Sequence, residues 1–147
     1  MRHDGAPVPR WPYVLFRGTA TIEAVLAVAQ SVLAGGFLSG YYIALSVHMT
    51  VGFTMVAVAV AQVPVAVFLR RAGGPPGILR ESLPLPLILA AQGVLGIFHL
   101  LILHIPLGVL MVIGATRLTA LAWRTPLPGR AGVDAESVEP EPAGVRS

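Results

Sequence analysis

Two histidines stand in matching places of an internal repeat. The first copy reads Ala29-Gln30-x-Val32-Leu33 and then His48-x-x-x-Gly52-x-x-Met55-Val56. The second reads Ala91-Gln92-x-Val94-Leu95 and then His104-x-x-x-Gly108-x-x-Met111-Val112. The glutamine blocks are offset by 62 residues and the histidine blocks by 56, so the copies differ by six residues in between. Both imidazoles lie in apolar sequence. Two such groups at one depth of a membrane bundle point to one ligand above others, a haem iron held from both faces. The expected metal ligands are His48 and His104. Residues i and i+4 share a helix face, so Gly52 and Gly108 would leave room for a flat macrocycle, with Met55 and Met111 packed beneath it. The competing reading is that each histidine only hydrogen-bonds between helices.

Gln30 and Gln92 occupy equivalent places and join the expected cofactor-binding set; their plainer role is interhelical hydrogen bonding, since lipid offers no partner to an amide. Glu23 lies seven residues before Gln30, nearly on one face with it, and a carboxyl at that depth is costly. A structural pair with Arg117 is the first expectation for it; a neutral carboxyl and a proton- or electron-coupled role are the alternatives. Its counterpart in the second copy is Leu85. His99, counted back from the histidine block, corresponds to Ile43 and reads as an interfacial residue able to bond a haem propionate. His3 lies in the polar lead and carries no expected role.

The elements that must position these residues are membrane helices. The chain has 147 residues, 55% of them hydrophobic and 12% charged, with a mean hydropathy of +0.78. A soluble domain carries about 25% charged residues. Four apolar stretches, about 14–36, 41–69, 83–99 and 103–123, approach the roughly 20 residues that cross a bilayer. They predict an all-α, four-helix transmembrane bundle over 14–124, built from two repeated hairpins, after a cytoplasmic lead at 1–13. Residues 125–147 read as a disordered cytoplasmic tail, made acidic by Asp134, Glu136, Glu139 and Glu141. Cleavage of the first stretch as a signal peptide is disfavoured, because it contains Glu23 and Gln30 and belongs to the repeat.

All ten basic residues are arginine and they cluster around the termini and the middle connection; Gly36–Tyr42 and Leu100–Leu103 have none. By the positive-inside rule both termini are cytoplasmic and the protein is a multi-pass protein of the bacterial plasma membrane. Trp11, Tyr13, Tyr41, Tyr42 and Trp123 fit interfacial belts. The lack of cysteine excludes a disulfide framework, a thiolate metal site and covalent c-type haem attachment.

A glutamine followed by an outer turn and a histidine opening the next helix, twice over, resembles one half of the haem A synthase family across residues 20–123. The resemblance implies a four-helix half with its ligand pair at His48 and His104. Leu45 stands where the family's catalytic half carries a glutamate, and the long outer loop with its cysteine pair is absent. Haem binding, rather than haem A synthesis, is what the resemblance implies. The pattern is similar as well to small four-helix membrane proteins of GC-rich bacteria, for which no activity is implied.

The expected function is thus a b-type haem membrane protein, for electron transfer or haem handling, with the bilayer and another membrane protein or redox partner as its company and no nucleic acid. Two alternatives stand beside it. One is a non-catalytic membrane subunit or scaffold without cofactor. The other is a small transporter, for which only Glu23 and Gln62 offer a polar site. Hydrolytic chemistry is disfavoured, because no nucleophile with base and orienting partner is present.

Overall fold

The computed structural model describes residues 8–129. The acidic tail beyond that range, and the lead with His3 before it, lie outside the described residues. Five helices follow in order: α1 (Trp11–Leu38), α2 (Ile43–Arg71), α3 (Pro76–Ser82), α4 (Leu85–Ile97) and α5 (Leu101–Arg124). Four segments are long and apolar enough to cross a membrane, the third being Pro76–Ile97, which runs through α3 and α4. That third span therefore begins seven residues before the stretch expected from the sequence, and its polar Arg80 and Glu81 belong to its first turns. Pro84 and Pro86 explain the break within it. Neither has an N–H, so two helical bonds within one turn cannot form.

Around the bundle the order is α1, α2, α4, α5, with α5 closing on α1. No Cα of α2 comes within 8 Å of α5, nor of α1 within 8 Å of α4, so these pairs face each other across the diagonals. Both connections between paired helices lie at one end, the turn end; the opposite, terminal end carries α3.

The inward positions follow a seven-residue repeat. On α2, Met55, Ala59, Gln62, Ala66 and Leu69 are buried, continuing the line of half-buried His48 and Gly52. On α5, Met111, Ala115, Leu118, Ala122 and Thr125 are buried below half-buried His104 and Gly108. The spacing is 4-3 throughout, the signature of helices that keep one seam toward their neighbours. On α1 the seam is Phe16, Ala20, Glu23 and Ala27; along α3 and α4 it is Ile78, Ser82, Leu85 and Leu89, so the proline break does not shift the register. The interior is rich in alanine, whereas Val25, Val32, Phe53, Leu87, Ile102 and Leu110 point outward. Small residues inside let backbones approach, and large apolar ones outside suit lipid.

Both turns close in the same way. Tyr41 N–H donates to the Gly36 carbonyl across Gly40, and Leu100 N–H to the Leu95 carbonyl across His99. This bond pattern needs a left-handed residue after the helix, and Gly40 (φ 95°) and His99 (φ 57°) supply it. By its place in the turn His99 thus corresponds to Gly40, not to Ile43. The six-residue difference is spread over the connection: α4 runs three residues less beyond Gln92 than α1 beyond Gln30, the turn is one residue shorter, and α5 has two residues fewer before His104 than α2 before His48. At 1.5 Å per residue, the α4–α5 side ends about 3–4.5 Å lower.

Two polar clamps tie the terminal end. The Arg17 guanidinium donates to the carbonyls of Ala122 (3.2 Å), Trp123 (3.4 Å) and Thr125 (2.6 Å). These are among the carbonyls a helix end leaves without partners. Arg17 also lies over the Trp123 ring, 5.1 Å from its centroid. Tyr13 is buried rather than interfacial, and its hydroxyl donates to the Ala72 carbonyl at 3.0 Å. Trp11, Tyr41, Tyr42 and Trp123 remain exposed, as expected of a belt.

Candidate functional site

The 4-3 seams of α2 and α5 bring His48 and His104 toward each other across the diagonal, near the turn end. Their ring centroids are 6.1 Å apart and their planes are inclined by 58°. Each ring is anchored by the helix before it in the chain. His48 Nδ1–H donates to the Gln30 carbonyl at 3.2 Å, and His104 Nδ1–H to the Gln92 carbonyl at 2.9 Å. A carbonyl only accepts, so this bond puts the proton on Nδ1 and leaves the lone pair on Nε2. That is the outer hydrogen bond which orients metal-ligating histidines.

The glutamine side chains complete the tier. Gln92 Nε2–H donates to the His104 carbonyl at 2.7 Å. A Cβ added to Gly108 would stand 3.0 Å from Gln92 Nε2, and one added to Gly52 would stand 3.0 Å from Gln30 Nε2. The glycines thus give room to the glutamine amides, and it is these amides that cover the faces expected to receive a macrocycle. A third small residue, Gly96, accommodates the His104 ring: a Cβ there would meet His104 Cε1 at 3.0 Å. Met55 and Met111 are buried one further step down the two seams. Gln30 Oε1 and Gln92 Oε1 are buried and meet no donor among the described residues. His99 is exposed on the turn and stands apart from this tier.

The separation of the imidazoles can be set against coordination chemistry. Nitrogens about 2 Å from one ion, on opposite sides of it, put the ring centroids about 6 Å apart; two corners of a tetrahedron put them nearer 5 Å. The observed 6.1 Å equals the separation an opposed pair would have. The angle between the planes does not discriminate, because a ring can turn about its metal–nitrogen axis. No cluster of three or more histidine, cysteine or acidic side chains able to hold a metal occurs among the described residues, so two imidazoles are the only such donors at this tier.

Glu23 and Gln62 are buried polar residues in the terminal half. Glu23 is 2% exposed and Gln62 is fully buried. The expected ion pair with Arg117 is not formed. The α5 seam runs through Ala115 and Leu118, which turns Arg117 outward to the exposed face. Sequence reasoning also missed Arg17, which looked like one more flanking charge; its partners are carbonyls at the end of α5, over 100 residues away in the chain, which no local pattern reveals. No family model matches the chain, and neither a curated protein nor a solved structure matches it significantly.

Proposed function

We propose that the protein is a multi-pass protein of a bacterial plasma membrane that binds one b-type haem between His48 and His104, for electron transfer or haem handling. The observation that supports it best is the pair of Nδ1-anchored imidazoles with centroids 6.1 Å apart. Bound there, haem would supply one-electron chemistry. The chain's own part is to fix two tautomers, to present two Nε2 atoms, and to exclude water with Met55, Met111 and the apolar seams. Gln30 and Gln92 would line the space beside the ligands, their amides seated in the room that Gly52 and Gly108 leave. The two unpartnered glutamine oxygens count against a purely structural clasp, because a self-contained hydrogen-bonded tier would not leave two buried acceptors unmet.

The same reading includes a duplicated helical hairpin. Its support is the paired seams, residue for residue: His48 with His104, Met55 with Met111, Ala59 with Ala115, and Ala66 with Ala122. A relationship to one half of the haem A synthase family belongs to this proposal too, for binding but not for haem A synthesis, since Leu45 cannot act as a carboxylate.

The test is a visible spectrum of detergent-purified protein made with ample haem. Reduced wild type should show sharp low-spin α and β bands. His48→Ala and His104→Ala should each convert the haem to high spin or lose it, while His99→Ala leaves the spectrum unchanged. Protein that purifies without haem, or single variants that keep the wild-type spectrum, would end the proposal and leave the subunit or scaffold reading.

A further inference from the structure

Glu23 is the only acidic side chain in the first, second and fourth spans, and it faces the interior. The register of α1 against α2 places it. At one end Gly52 abuts the Gln30 amide, and at the other Tyr13 reaches the Ala72 carbonyl. Between these fixed points, Glu23 comes to the level of residues 59–62 on α2. Gln62 is the polar member of that stretch, and it is fully buried. Glu23 Oε1, Gln62 Oε1 and Gln62 Nε2 are all buried without a hydrogen-bond partner among the described residues.

Among the described residues no cation neutralises the carboxyl. Helix α1 packs only against α2 and α5. On α2 no ionisable side chain lies between His48 and Arg70, and Arg70 and Arg71 are exposed beyond the core. On α5, Arg117 and Arg124 are exposed. Arg17, on α1 itself, is engaged with the α5 carbonyls. Glu81 and Arg80 sit on α3, which does not touch α1. An isolated carboxylate in such surroundings is far more costly than its neutral form. The donor set is also too small for a hard divalent cation, which takes six or more oxygens.

We propose that Glu23 and Gln62 form a binding site for a proton and water inside the bundle. The carboxyl holds the proton, and water bridges the acid to the Gln62 carboxamide. A neutral carboxyl offers one donor and acceptor oxygens, the carboxamide two donors and an acceptor, and a water two of each, so the unmet atoms can be satisfied together. The site is independent of any cofactor at the histidine tier. Glu23 stands two turns, about 10 Å, along the same α1 face from Gln30.

Infrared spectroscopy of the full-length protein in lipid tests this. At neutral pH the wild type should show the carbonyl stretch of a protonated, hydrogen-bonded carboxylic acid, shifting down in deuterated water. Glu23→Gln should abolish the band and Glu81→Gln should leave it. Gln62→Leu should move it to the higher frequency of an acid without hydrogen bonds. Should Glu23→Gln fail to fold, carbon-13 labelling of glutamate alone, in the wild type and in Glu81→Gln, assigns the band instead. Absence of any protonated-acid band at neutral pH overturns the proton site, and a band indifferent to Gln62→Leu overturns the shared water.

Discussion

At the scale of single residues, backbone geometry and side-chain chemistry conflict at His99. A left-handed conformation costs a side-chain-bearing residue roughly 1–2 kcal/mol, and glycine adopts it freely. Its counterpart in the other turn is Gly40. His99→Gly should therefore stabilise the protein by about 1 kcal/mol, part of the gain being offset by the greater freedom of glycine in the unfolded chain. Thermal unfolding in detergent measures it, and a lowered midpoint would show that the imidazole makes an unrecognised contact. Gly74 presents the opposite case. A Cβ there would lie 2.8 Å from the Leu69 carbonyl oxygen, as well as against the Leu69 side chain. Backbone cannot move aside cheaply, so Gly74→Ala should cost about 1–3 kcal/mol. Gly18, Gly93 and Gly114, with open space around them, should accept alanine without such a loss.

Among the elements, α5 depends on a neighbour for its ending. It has no side-chain N-cap and finishes with Thr125 in extended backbone. Arg17 satisfies carbonyls there from another helix. Arg17→Met keeps much of the stem's packing but removes these charge-assisted bonds, at an expected cost of about 1.5–3 kcal/mol. Hydrogen exchange should rise chiefly in the last turn of α5; a uniform change along the helix would argue against a capping role. The elements also show what could be read in advance. The number of spans, the two hairpins' helices and the histidine, glycine and methionine spacings were legible, because hydropathy and i, i+4 geometry are local. The start of the third span was not, because Arg80 and Glu81 resemble a loop until α3 is seen packed on α2 and α5. Nor was the inward turn of Tyr13 or the outward turn of Arg117. Each depends on a 4-3 seam, and the abundance of apolar residues on both faces hides that seam from the hydropathy pattern.

For the molecule as a whole, the distribution of arginine predicts which end faces the cytoplasm. Arg10, Arg17, Arg70, Arg71, Arg80, Arg117 and Arg124 all belong to the terminal half of the bundle, and the turn end carries no arginine. A reporter active only in the periplasm, fused after Ser147, should give no signal; strong activity would invert the molecule and put the histidine tier in the inner leaflet. The unequal hairpins bear on the surroundings. The taller rim displays Ser39, Tyr41 and Tyr42 beside Leu38 and Ile43, and the lower rim displays Ile97, Phe98 and Ile102 beside His99, all exposed. Such a body does not have one hydrophobic thickness. The lipid leaflet beside α4 and α5 must dip to follow it, at a cost of fractions of a kcal/mol per Å. That flank forms a notch where the route from the aqueous phase to His104 is about 3 Å shorter than the route to His48, so any exchange with the outside should enter from one side.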